Sequence, residues 1–147
     1  MKHGVVLMLV WVLAVGLSAC TNSAPTGISS PPPAVEDQAS LVSALQAVGA
    51  TVEMGNPITQ DFFSVEGQAV KVNGADLQIF EYENAAAMEE AASQVAPDGG
   101  SIGTSMVTWI DPPHFYKVGR IIVLYLGNDQ AILDLLNKII GSQFAGQ

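Results

Sequence analysis

The sequence predicts an α+β fold: a predominantly antiparallel sheet with helices packed on it, in the order α-β-(ββα)-β-(ββα), after a signal peptide and a disordered tether. Three observations carry this. Segments with apolar residues at helical spacing alternate with segments of period two. Asn73-Gly74 lies between two such period-two segments, as a two-residue hairpin turn requires. Arg120 to Leu126 reads RIIVLYL, apolar on both faces, as expected of a central strand.

The elements follow in order. Leu41, Ala44, Leu45 and Val48 mark the first helix, with acidic Glu36 and Asp37 just upstream and Gly49 as its C-terminal cap. Thr51 to Met54 alternates as a short strand, and Asn56-Pro57 is a turn. Phe62 to Val72 is strand-rich, broken at Gly67. Across Asn73-Gly74, Val70 should face Leu77 and Lys71 should face Asp76. Asn84 caps a helix running to Ala96, with Met88, Ala91, Ala92 and Val95 on its apolar side. Thr104 to Ile110 is a further strand, with Met106, Thr108 and Ile110 on one face and Val107 and Trp109 on the other. Asp111-Pro112-Pro113 stops it, and His114 to Lys117 opens a hairpin turning at Val118-Gly119. Asn128 caps the last helix, Lys138 suits its C-terminal dipole, and Gly141 closes it. With an offset of 44, Asn84 matches Asn128 and Met88 matches Ile132, a weak repeat of hairpin, cap and helix.

The N-terminus predicts where the chain goes. Lys2 gives a positive start, and Gly4 to Gly16 is uncharged. That run is short of the roughly 20 apolar residues that cross a bilayer, and it suits the apolar core of a signal peptide. Leu17-Ser18-Ala19-Cys20 follows and resembles the lipobox of bacterial lipoproteins. The resemblance implies diacylglycerol on the Cys20 thiol, cleavage before Cys20, and a further acyl chain such as palmitate on the new amino group. A plain secretory signal and an uncut anchor are the alternatives. With a single cysteine no internal disulfide can form, and lipidation accounts for a lone thiol in an exported chain. Two or three acyl chains make a stable anchor where one is marginal. The expected location is the extracytoplasmic face of a cell membrane.

Residues 1–19 are thus read as signal peptide, 20–38 as lipidated cysteine and tether, and 39–147 as a single globular domain. Thr21 to Gln38 is rich in Pro, Ser and Thr and too polar to offset the cost of ordering. Stretched, it would reach about 55 Å. From LVSALQAVGATVE through WIDPPHFYKVGRIIVLYLG the chain also resembles small bacterial lipoproteins without an assigned activity, which implies localisation and domain size and no chemistry.

Five basic and 14 acidic residues give a net charge of −9, and loss of Lys2 with the signal moves it to −10. Such a surface argues against nucleic acid and against docking on anionic lipid. His114 is the one histidine beyond the signal, so a Cys/His zinc site cannot be built, and no metal or cofactor is predicted. Gly99 to Gly103 precedes a strand, where a phosphate cradle would open a helix. Glu81 and Glu83 flank Tyr82 on one strand face and read as a solvated strand end, without a third ligand for a cation.

The richest stretch is Trp109-Ile110-Asp111-Pro112-Pro113-His114-Phe115-Tyr116-Lys117, with Arg120 just beyond. Prolines stiffen a loop, and Trp and Tyr bring contact area with a polar handle. Trp109, His114, Phe115, Tyr116 and Arg120 are therefore the candidate partner-binding residues, for a protein or small ligand. The bland reading is that the aromatics are core residues at strand ends. The predicted function is a non-enzymatic binding or accessory domain on a membrane. The alternatives are a small hydrolase centred on His114 and Asp111, and the solute-binding component of a transporter.

Overall fold

The computed structural model describes residues 34–147; the predicted signal peptide, Cys20 and most of the predicted tether lie outside the described residues. The chain forms α1 (Gln38–Ala47), β1 (Val52–Ile58), β2 (Gly67–Val72), β3 (Ala75–Glu81), α2 (Ala85–Ala92), β4 (Ser101–Ile102), β5 (Ser105–Met106), β6 (Pro113–Val118), β7 (Ile121–Leu126), α3 (Gln130–Ile139) and β8 (Ala145–Gly146). Six strands make one antiparallel sheet in the order β1-β2-β3-β7-β6-β8, and β4 and β5 form a separate ribbon. The fold is α+β with an antiparallel sheet, as the sequence predicts.

The β2–β3 hairpin has the expected register, Val70 opposite Leu77 and Lys71 opposite Asp76. Asn73 and Gly74 both take positive φ, +49° and +88°, which the tight turn demands. Lys71 and Asp76 pair at 2.8 Å across the exposed face.

β7 is central and buried on both faces, as RIIVLYL predicts. Ile121, Val123 and Tyr125 face a core capped by Leu41 and Leu45 of α1 and Ile132 and Leu136 of α3. Ile122 and Leu124 face a second core with Phe80, Phe115, and Met88 and Ala92 of α2. Each such aliphatic side chain contributes about 1.5–3 kcal/mol by burial, so a strand buried on both sides binds the two layers together.

α1 starts with a capping box: the Asp37 carboxylate accepts from Ser40 N–H, and the Ser40 hydroxyl accepts from Asp37 N–H. The Ser40 backbone and hydroxyl hydrogen bonds, with the Arg120 guanidinium nearby, hold the Asp37 carboxyl below its ordinary value. At the other end, Gly49 N–H donates to Gln46 O and Ala50 N–H to Leu45 O, closing the helix with a Schellman pair.

Several expectations are corrected. The domain begins before residue 39, because Asp37 caps α1, Glu36 O accepts from Arg120 N–H, and Val35 packs on the core. β1 runs through Asn56-Pro57, which forms an irregularity between Met54 and Pro57 and no turn; proline is tolerated there because β1 is an edge strand. Phe62 and Phe63 lie in a loop, and the strand starts at Gly67. α2 ends at Ala92, four residues early. The N-cap of α3 is Asp129, whose carboxylate accepts from Ala131 N–H; Asn128 precedes it. The Thr104–Ile110 strand shrinks to Ser105–Met106. The second hairpin turns at Gly119-Arg120, one residue later. α2 and α3 lie on opposite faces of the sheet, so no two-fold axis between adjacent antiparallel strands relates the two ββα units, and the repeat is a shared local architecture. No helix among the described residues is long and apolar enough to cross a membrane.

Candidate functional site

The stretch predicted to bind a partner is divided by the fold. His114, Phe115 and Tyr116 are strand residues of β6 and are buried, so they are not available as partner-binding residues. Pro113 is the first residue of that strand, a position where its missing N–H is tolerated. Phe115 points into the α2-side core and Tyr116 into the α1/α3 core.

His114 stacks on Tyr125 at 5.9 Å between ring centroids. Its Nε2 donates to the Gly127 carbonyl at 2.9 Å, and Nδ1 lies 2.6 Å from Oε1 of Gln143. The two ring nitrogens face the Gly127 carbonyl and the Gln143 side chain, and neither meets a hydroxyl or a carboxylate, so the nucleophile and the orienting acid of a triad are not among its partners. The pair ties β6, the β7 exit and the C-terminal segment together. Asp111 is exposed and is not among the partners of His114, so the two do not form the dyad that a hydrolase would need.

Arg120 bonds Glu81 at 2.6 Å and Asp37 at 3.4 Å, while its N–H donates to Glu36 O. Glu81 also accepts from Gln38 N–H, so that carboxylate serves the start of α1 while Glu83 stays exposed. Arg120 is thus a clamp on the beginning of the domain. Gly119 beside it has φ +55°, and a Cβ there would sit 2.2 Å from Glu36 O, so the close approach requires glycine.

Trp109 and the residues around it remain at the surface. Trp109 Nε1 donates to Gly99 O at 2.7 Å, and its ring meets Phe62 and Phe115 edge-on, each at 5.8 Å. Burial alternates along the segment: Val107 and Trp109 turn inward, and Met106, Thr108 and Ile110 turn outward. Met106 is 92% and Ile110 89% exposed. The alternation is the one visible in the sequence. The outward direction of the Met/Ile face was not, because large apolar residues are expected inside.

This segment flanks two recesses. One, of about 450 Å³, is lined by Asp98, Trp109, Ile110, Asp111, Pro112 and Gln147. The other, of about 640 Å³, lies beside Met106 against Pro97 and Asp98. The surface is therefore mixed, with Met106 and Ile110 projecting beside two carboxylates, and Asp98 spends one oxygen on Gly100 N–H. No group of three or more metal-ligating side chains occurs among the described residues. Comparison with protein-family models, curated proteins and solved structures found no match.

Proposed function

We propose that this protein is a membrane-anchored extracytoplasmic lipoprotein, held by lipid on Cys20, whose domain is a non-enzymatic binding or accessory module that docks a protein partner through residues 106–112. The observation that carries the docking surface is the outward display of Met106 and Ile110 beside the anchored ring of Trp109. Large apolar side chains held fully in water on a braced segment are what a contact surface needs. Asp98 and Asp111 favour a partner whose apolar contact is bordered by basic groups. The anchor rests on the order of positive start, apolar run, lipobox and polar linker.

The placement of the two ends supports the same reading. The described chain begins at the Gly119-Arg120 turn, which joins the end of β6 to the start of β7. The docking segment leads into Pro113 at the opposite end of β6, about 17 Å away along the strand. A domain tethered at the first end presents Met106 and Ile110 away from the lipid.

Mass spectrometry of membrane-extracted protein should find residues 1–19 absent and lipid on Cys20, and Cys20→Ser should release the chain from membranes. A photo-crosslinker at position 108 should then give a defined adduct in intact membranes. That adduct should be lost in the Met106→Ser/Ile110→Ser double variant with the melting temperature unchanged. A mature protein that begins elsewhere and ignores Cys20→Ser overturns the anchor. An adduct indifferent to the double variant overturns the docking surface.

A further inference from the structure

A different recess lies on the α2 side of the sheet, between α2 and the loop formed by residues 59–66. Its volume is about 350 Å³, and Phe62, Phe63, Tyr82, Ala87, Ala91 and Glu90 line it. That volume is within the range of sites for small molecules. The aromatic wall is ordered: Phe62 meets Phe63 edge-on at 5.0 Å, and Phe63 meets Tyr82 at 89° and 6.5 Å. Ala87 and Ala91 are one helical turn apart and keep the opposite wall low.

Two features of this recess are unsatisfied. Tyr82 is 4% exposed, and its hydroxyl has no hydrogen-bond partner. Burial pushes that phenol up to about 12, so at neutral pH it is uncharged and keeps its lone pairs to accept with. Glu90 is exposed and has no ion-pair partner among the described residues, whereas its neighbour Glu89 is taken by Lys117. Ring faces, an unpaired carboxylate and a strongly acidic chain all favour a cation. The recess can also adjust. Within residues 59–66 the backbone bond is a single turn, Phe63 N–H to Gln60 O, and Gln60 ties the loop to Gln78 by side chains alone. Phe62 and Phe63 are held by packing in a loop outside the strands, so these rings can shift without breaking a strand hydrogen bond.

The geometry points to a binding site for a small aromatic amine, its ring against Phe62 and Phe63 and its ammonium shared between Glu90 and the Tyr82 hydroxyl. This site shares no lining residue with the docking segment, although Phe62 touches Trp109, and it does not depend on the lipid anchor.

The test is a titration of the full chain in zwitterionic lipid nanodiscs, with empty nanodiscs as blank, followed by calorimetry and by amide chemical shifts. The probes are 2-phenylethylamine, 2-phenylethanol and 3-phenylpropanoate. The amine should saturate with Kd of ~1 mM, as its size allows. The alcohol should bind roughly threefold weaker or less, and the anion not at all. Shifts should centre on residues 62–64 and 87–94. Glu90→Gln, on the exposed face of α2, should erase the preference for the amine. Tyr82→Phe should weaken the amine by about two- to tenfold. Ala91→Trp should abolish binding by filling the recess. No saturable binding at ~10 mM, equal affinity for all three probes, shifts elsewhere, or indifference to Glu90→Gln overturns the proposal.

Discussion

Tyr82 and Tyr116 each bury a hydroxyl without a hydrogen-bond partner, and burial raises both phenols above their ordinary value. For Tyr82 the direction has a measurable consequence. A raised value in the folded state means that the stability it protects is complete below the ordinary 10.0 of the unfolded chain. It is lost as pH rises towards about 12. Between those limits the unfolded chain gives up a proton that the folded chain keeps. Stability should therefore fall by roughly 3 kcal/mol across the window from this residue alone. Tyr82→Phe should remove that part of the alkaline slope while leaving the neutral-pH melt equal or higher, since the variant also deletes an unpaired buried oxygen. Denaturant titrations at pH 8 and above would show it; an unchanged slope in the variant would mean that Tyr82 ionises freely in the folded protein.

At the scale of elements, the 93–112 segment separates a side chain that builds from those that display. Trp109 joins Gly99, Phe62 and Phe115 while half-buried, so Trp109→Ala should destabilise the domain by about 2–3 kcal/mol. Met106→Ser and Ile110→Ser should stay within about 0.5 kcal/mol, because each already stands in water. Urea unfolding of the three variants distinguishes the roles; a costly Ile110→Ser would make that residue core. The same segment shows what could be read beforehand. Asn73-Gly74 set the register of β2 and β3 because a two-residue turn leaves one pairing. The inward and outward sets of residues 106–110 were legible as a period of two. Their exposure was not, since it depends on what the rest of the chain leaves uncovered. β8, with two residues, has no pattern to detect; it exists because β6 offers an edge to Ala145 and Gly146. Asp111-Pro112-Pro113 reads as a stop between two strands, whereas Pro113 already belongs to β6, so the strand that buries His114, Phe115 and Tyr116 starts one residue earlier than the prolines suggest.

Across the whole molecule, the junction between linker and domain is itself built. Arg120 holds Glu81 and Asp37, Glu36 O accepts from Arg120 N–H, Asp37 and Ser40 cap α1, and Val35 packs beneath. A force on the N-terminal side of residue 35 is passed first to this clamp, at the end of the sheet remote from Met106 and Ile110. Composition marks residues up to 38 as linker, because the stretch is rich in Pro, Ser and Thr. The capping box and the backbone bond to Arg120 work through polar groups, which a search for apolar periodicity passes over. A chain that starts at Gln38 should therefore fold less stably than one that starts at Ala34. It loses an N-cap worth about 0.5–2 kcal/mol, a backbone hydrogen bond worth about 1 kcal/mol, and the packing of Val35. For a domain of this size those losses should lower the melting temperature by roughly 10 °C or more. Arg120→Ala in the longer chain should reproduce part of the drop, since it frees Asp37 and leaves Glu81 with Gln38 N–H alone. Equal melting temperatures for the two starting points would place the first structural residue of the domain within α1 and reduce the clamp to a surface contact.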